Sequence, residues 1–149
     1  MQLKGEAIEK LIIGRNEYVS LPDLNFFNID AKIDTGAYGS SIHCEHIHLK
    51  EDGTVHFQLL DDRHPDYCKQ HIKMPVYKIK KVKSSNGKIE ERVFVKTIIE
   101  LLGKRYAAEL SLTDRKDMKY PMLIGRKYLK GRFLVDVSLA YQHLETKKA

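Results

Sequence analysis

A chain of 149 residues, 42% hydrophobic and 31% charged, carries enough apolar side chains for one sizeable core, which excludes disorder and predicts a single domain over residues 1–149. The longest aliphatic run near the start, Leu11-Ile12-Ile13, is far shorter than a signal h-region or the roughly 20 apolar residues of a spanning helix, so a cytoplasmic protein without membrane contact is expected. With 26 Lys and Arg against 20 Asp and Glu, the formal charge of +6 favours anionic partners, acidic peptides as readily as RNA.

Short strand-like runs alternate with turn signals and helical periodicity is scarce, which predicts an antiparallel all-β domain. Leu11 to Ile13 and Tyr18 to Leu21 come first, closed by Pro22-Asp23, and Phe26 to Ile33 then leads into a turn at Asp34. Ser41 to Leu49 and Thr54 to Leu60 follow, separated by Glu51-Asp52-Gly53. Asn86-Gly87 is the strongest hairpin signal, because a type I′ turn needs positive φ at both central positions. Symmetric pairing about it sets Lys83 opposite Glu90 and Ile79 opposite Phe94, an ion pair and an apolar pair of the kind that stabilise a ladder. Val93, Val95 and Ile98 to Leu102 form the outgoing strand, Gly103-Lys104 a turn, and Tyr106 to Leu112 the next strand. Gly125 to Lys130 reads as one short helix, after which Arg132 to Val137 returns to strand. Cys44 and Cys68 lack the spacing of a zinc ribbon or a redox motif and are expected as free thiols.

Aspartate is a poor strand residue, so Asp34 after Ala31-Lys32-Ile33 needs an explanation. One is an Asx-type turn, in which the carboxylate accepts from backbone N–H groups near Thr35 and Gly36. The other is that the same turn holds a carboxylate rigidly for chemistry, with Gly36 allowing a substrate backbone to approach. Aspartic peptidases need two such carboxylates sharing one proton to activate a water. The chain holds one Asp-Thr-Gly, and Asp52-Gly53 lacks the intervening hydroxyl residue, so a dyad requires two chains on a two-fold axis between their Asp34 side chains.

The stretch MLIGRKYL, residues 122–129, resembles the apolar-apolar-Gly-Arg segment that packs beneath the catalytic loop of retropepsin-like proteases and opens their one helix. Its position after Asp34-Thr35-Gly36-Ala37 is the retropepsin order. Together with AKIDTGAYGSSIHC (31–44), SLTDRKDMKYPMLIGRKYL (111–129) and IGRNEYVSLPDL (13–24), the chain is similar to the bacterial family labelled ATP-dependent zinc proteases. That family includes RimB-like proteins, which accompany ATP-grasp glutamate ligases. The resemblance implies an acid-protease fold, a closed β-barrel with one short helix near the C-terminus. It also implies that Asp34 is the catalytic carboxylate, that Thr35 locks the paired loops across the dimer axis, and that Gly36 and Ala37 admit the substrate backbone. Arg126 matches an arginine that, in viral retropepsins, pairs with an acid just after the Asp-Thr-Gly-Ala. Here that position is Tyr38, so Asp114, Asp136 or simple packing at the helix start must serve instead.

The zinc in the family label directs attention to His43-Cys44-Glu45-His46-Ile47-His48, where a regular strand would put Cys44, His46 and His48 on one face. Three ligands on one flat strand seldom close a tetrahedron, and hydrogen-bonded or surface histidines are the expected outcome, with no metal. No phosphate-binding glycine loop occurs, so no ATP and no other cofactor is expected.

Lys78, Lys80, Lys81, Lys83 and Lys88 surround the hairpin. They read as a solvated or protected edge, or as a flap that overhangs the cleft and steers an acidic peptide inward. The hairpin tip offers no aromatic for a base to stack on, so nucleic acid is not the expected partner. The function expected is a homodimeric aspartic endopeptidase acting on acidic or polyglutamylated protein tails, functionally linked to a glutamate ligase. The alternatives are a non-catalytic peptide-binding module of the same fold and a zinc-dependent peptidase.

Overall fold

In a computed structural model, which describes residues 9–60, 70–83, 87–114 and 119–142, eleven strands, one 3-10 turn (Pro22–Leu24) and one short α-helix follow one another along the chain. The strands are β1 (Leu11–Ile13), β2 (Asn16–Leu21), β3 (Phe26–Ile33), β4 (Ser40–Leu49), β5 (Thr54–Leu59), β6 (His71–Pro75), β7 (Lys78–Lys83), β8 (Ile89–Leu101), β9 (Lys104–Thr113), β10 (Met122–Ile124) and β11 (Phe133–Val135). The helix α1 (Arg126–Leu129) joins β10 to β11.

Six strands close into a barrel in the order β10-β3-β2-β8-β9-β4, with β10 pairing to β4 to complete the ring. Closure satisfies the edge N–H and C=O groups that an open sheet would leave unpaired. Its interior comes from period-two alternation: Ile29, Ala31 and Ile33 on β3, Val93 and Val95 on β8, and Leu110 and Leu112 on β9 are buried. Each large aliphatic side chain so enclosed contributes roughly 1.5 to 3 kcal/mol. The architecture is therefore the all-β barrel with one short helix that the sequence predicts, but it is mixed and not purely antiparallel, because β10 runs parallel to β3 and β4 parallel to β9. No helix among the described residues is long and apolar enough to cross a membrane.

β10 inserts between two strands adjacent in sequence. It runs parallel to β3, with Ile124 opposite Ile33, and antiparallel to β4, with Leu123 opposite Ser41. The connection from β3 to β4 must therefore loop over the end of β10. That loop is residues 34–39, the Asp34 turn.

Two extensions leave the barrel. The second half of β4 pairs with β5, which pairs with β6. β6 was not foreseen, although the alternation of Ile72 and Met74, both half-buried, is its signature. Separately, β1 and β11 form a parallel two-stranded sheet in which Ile12 pairs with Leu134; these side chains are 53% and 52% exposed.

Two turn assignments are corrected. On β7 and β8, Lys83 pairs with Ile89, Ile79 with Val93 and Lys78 with Phe94, one residue out of the predicted register. An odd number of residues separates Lys83 from Ile89, whereas a two-residue turn centred on Asn86-Gly87 requires an even number; Gly87 does take positive φ, and Asn86 lies outside the described residues. The two-residue hairpin is instead Leu102-Gly103, both at positive φ, between the paired Leu101 and Lys104. Cys68 also lies outside the described residues.

Candidate active site

The Asp34 turn is built from both sides. The Asp34 N–H donates to the Ile124 carbonyl at 2.8 Å, extending the β3–β10 pairing by one residue. The chain then reverses: the Gly36 N–H donates to Asp34 Oδ1 at 3.0 Å and the Ala37 N–H to the Asp34 carbonyl at 3.2 Å. This is the predicted Asx-type turn. Asp34 is half-buried while Thr35 and Gly36 are exposed, so the carboxylate stands at an open surface on a fixed backbone. A Cβ on Gly36 would stand 3.3 Å from Asp34 Oδ1, a crowded contact that glycine avoids.

The start of α1 supports the turn from below. The first N–H groups of a helix have no partner inside it, and here the Arg126 N–H donates to the Ala37 carbonyl and the Lys127 N–H to the Tyr38 carbonyl, both at 2.9 Å. The Gly125 N–H donates to Ser40 Oγ at 3.1 Å. A Cβ on Gly125 would lie 2.2 Å from the Gly39 carbonyl oxygen, so the Ile-Gly-Arg segment needs its glycine for this close approach. Thus two segments about ninety residues apart in sequence interlock, and Ser40, which the sequence did not single out, is part of the joint.

Arg126 finds neither of its predicted acidic partners. Its Nη1 donates to the Thr35 carbonyl at 3.0 Å, and its guanidinium lies 5.9 Å from the centre of the Tyr38 ring. Asp136 instead accepts from the Ser138 N–H and hydroxyl at 2.9 and 2.6 Å, bonds that hold its carboxyl below the usual carboxylate range. Asp114 stands with His43 and Glu45, their ligand-type atoms all within 4.8 Å of one another.

The strand face expected to gather Cys44, His46 and His48 is broken. The β4–β5 register shifts between Glu45 and His48, and His46 takes positive φ, the mark of a bulge that ends simple alternation. Cys44 is buried, which pushes its thiol pKa well up, with Asp114 adding to the effect, while His46 and His48 are exposed. These three do not fit a zinc ion, which needs converging ligands. His43 is a hydrogen-bonded histidine: its Nδ1 lies 3.2 Å from the carbonyl of Thr113, its neighbour across the parallel β4–β9 pairing.

Beside the turn lies a groove of about 520 Å³, lined by Ala37 to Ser41, by the β7–β8 hairpin, by β9 and by α1. Lys78, Lys80, Arg92, Lys96, Lys127 and Arg132 face it, against one acid, Glu109, among the described residues. The groove thus reaches the turn at Ala37, Tyr38 and Gly39, while Asp34, Thr35, Gly36 and Arg126 are not among its lining residues. Glu109 accepts from Lys78 Nζ at 2.6 Å and from Lys127 Nζ. Those bonds, Lys127 first and Lys78 second, pull its carboxyl pKa down from 4.5 to about 2.

The family model described as "Retropepsin-like aspartic endopeptidase RimB" matches residues 12–146. Proteins named "Probable alpha-L-glutamate ligase" from Shewanella halifaxensis and Desulfotalea psychrophila are 36% and 34% identical over 89% and 90% of this chain. The chain spans only 30% of the length of these relatives. In three dimensions it is similar to Lpg0085 of Legionella pneumophila, a protein described as of unknown function, with TM-score 0.71 and 27% identity over 91% of this chain and 99% of that one. With the Asp34 turn, the Ile-Gly-Arg joint beneath it and a family match over nearly the whole length, the chain belongs to the RimB-like family of retropepsin-like aspartic endopeptidases.

Proposed function

We propose that the protein is an aspartic-type endopeptidase that works as a homodimer, with Asp34 of each copy forming the water-activating dyad. The observation that carries this reading is the Asp34 carboxylate itself, fixed by the Gly36 N–H at an open turn that β10 and α1 brace from beneath. The dyad needs a second acid. Asp52, the other Asp-Gly in the predicted count, accepts from the Thr54 N–H and hydroxyl at 3.1 and 2.6 Å and so caps its own hairpin turn. A second copy is the natural source, and the exposed Ile12–Leu134 pair on the β1–β11 sheet supplies apolar surface for it to cover.

The chemistry follows from one proton shared by two carboxylates. The ionised Asp34 takes a proton from water as the oxygen attacks the peptide carbonyl, and the protonated Asp34 donates to that carbonyl oxygen. The tetrahedral diol then collapses: the now ionised carboxylate takes a proton from one diol hydroxyl as the carbonyl re-forms, the C–N bond breaks, the other carboxyl protonates the departing nitrogen, and the dyad again holds one proton. Thr35 locks the two turns together, Gly36 and Ala37 leave room for the substrate backbone, and Arg126 holds the turn through the Thr35 carbonyl.

Acidic or polyglutamylated protein tails are the proposed substrates. The basic groove beside the turn supports this, and so does the ligase name carried by relatives that include a segment similar to this chain. A glutamate ligase adds what such a peptidase would remove, which makes the two a functional pair. Replacing Asp34 with Asn should abolish cleavage of a glutamate-tailed protein while leaving the fold intact; retained turnover overturns the reading.

A second reading is favoured by one observation, the small share of the ligase relatives that this chain covers. A domain of that size inside a ligase suits a non-catalytic module that holds the acidic tail. It predicts a monomer at low concentration by sedimentation, where the peptidase reading predicts a dimer.

A further inference from the structure

Resting on the peptidase reading, we infer that the groove under the β7–β8 hairpin reads two carboxylates at alternate positions of an extended peptide, one at Lys78 with Lys127 and one at Lys80 with Arg92, and that Glu109 is a built-in competitor for the first.

Two independent features of the molecule lead there. Lys80 and Arg92 are directly opposite each other on β7 and β8, and both line the groove. Like charges in that relationship repel and weaken a ladder, so the pairing gains from an anion placed between them. At Lys78 and Lys127, by contrast, such an anion is already present. Glu109 brings a carboxylate from β9 to meet two ammonium groups from β7 and α1, and its side chain is only 14% exposed. The two lysines thereby display the donor geometry that a peptide carboxylate would need.

The spacing follows from strand geometry. Lys78 and Lys80 are two residues apart on β7 and both reach the groove, which sets their Cα atoms roughly 6.5 to 7 Å apart. An extended peptide repeats same-side residues at that interval, so acids at positions i and i+2 match the pair while adjacent acids, which point to opposite sides, do not. Lys127 follows Arg126, the residue that holds the Thr35 carbonyl, and its own N–H holds Tyr38. The first subsite is thus tied to the turn that carries Asp34. Any acid entering it must displace Glu109, which lowers affinity for weakly charged chains and reserves the site for peptides with several carboxylates.

The test is made on full-length Asp34→Asn protein, so that binding is read without cleavage, using the fluorescein-labelled peptides Ala-Glu-Ala-Glu-Ala and Ala-Ala-Glu-Glu-Ala in fluorescence anisotropy. The alternating peptide should bind about threefold tighter or better than its isomer, Glu109→Gln should tighten it by a similar factor, and Lys80→Met should weaken it. Equal affinity for the two peptides, or a Glu109→Gln variant that binds no tighter while circular dichroism shows it folded, overturns the inference, as does absence of binding by either peptide. A Glu109→Gln variant that does not fold is replaced by Lys127→Met, which must weaken the alternating peptide for the inference to stand. Cleavage of glutamate-tailed protein by the wild type, together with equal affinities of the two peptides for Asp34→Asn, refutes the subsites alone. The predicted affinities without any cleavage refute the peptidase reading alone.

Discussion

The Nη1 of Arg126 donates to the Thr35 carbonyl at 3.0 Å, so the first residue of the helix holds the residue after the candidate catalytic aspartate. Replacing Arg126 with Ala removes a charge-assisted bond at a largely exposed site and should cost about 1 to 2 kcal/mol in urea unfolding. Cleavage should fall further than stability does, because the Asp34 turn loses its brace. Lysine at this position keeps the charge but loses the planar fork, and should recover only part of the activity.

Gly125 is the tightest point of the joint. Its substitution by Ala places a methyl group 2.2 Å from the Gly39 carbonyl oxygen and 2.8 Å from that of Tyr38, atoms of backbone that cannot swing aside. A loss of about 2 kcal/mol or more is expected in thermal or urea unfolding. The backbone at Gly125, φ −96° and ψ −178°, is open to any residue, so the penalty is steric.

The pH dependence of stability should carry a Glu109 signature. Its folded pKa of about 2 lies below the ordinary 4.5, because of its bonds to Lys127 and then Lys78. A depressed carboxyl pKa contributes stability that is fully present above pH 4.5 and lost as pH falls from there through about 2. Wild-type protein should therefore lose more stability than Glu109→Gln between pH 5 and 2, and the difference should shrink in high salt, because both lysines are partly exposed. Urea midpoints measured across that range provide the check.

Cys44 should be chemically silent in the folded state. Burial, with Asp114 beside it, raises its thiol pKa well above the ordinary value and closes it to reagents. In a Cys68→Ser background, an aromatic disulfide reagent should titrate no thiol in native protein and one after denaturation.

Much of this was legible in the sequence for an identifiable reason. Asp34-Thr35-Gly36 and Leu123-Ile124-Gly125-Arg126 are local patterns whose glycines answer to crowding, by the Asp34 carboxylate at Gly36 and by the Gly39 and Tyr38 backbone at Gly125, and β3 and α1 lie where those patterns set them. What stayed hidden was nonlocal or carried by the backbone. The partner of Arg126 is a carbonyl, which every residue has, so no letter marks it. The bulge that separates Cys44 from His46 and His48 is made by a histidine at positive φ, a conformation its residue type does not announce. Glu109 meets Lys78 and Lys127 only because β7, β9 and α1 converge on one groove. The hairpin slipped by one residue because turn chemistry fixes register only when the loop length is known.

The central claim, that two Asp34 carboxylates from separate copies perform one reaction, is tested most directly by mixing. Wild-type and Asp34→Asn chains are allowed to exchange subunits at constant total concentration, and cleavage of a glutamate-tailed protein is measured against the wild-type fraction. If both aspartates are required, activity follows the square of that fraction and falls to about one quarter at equal mixing. A straight line through one half would mean that each chain works alone, and would contradict the shared dyad.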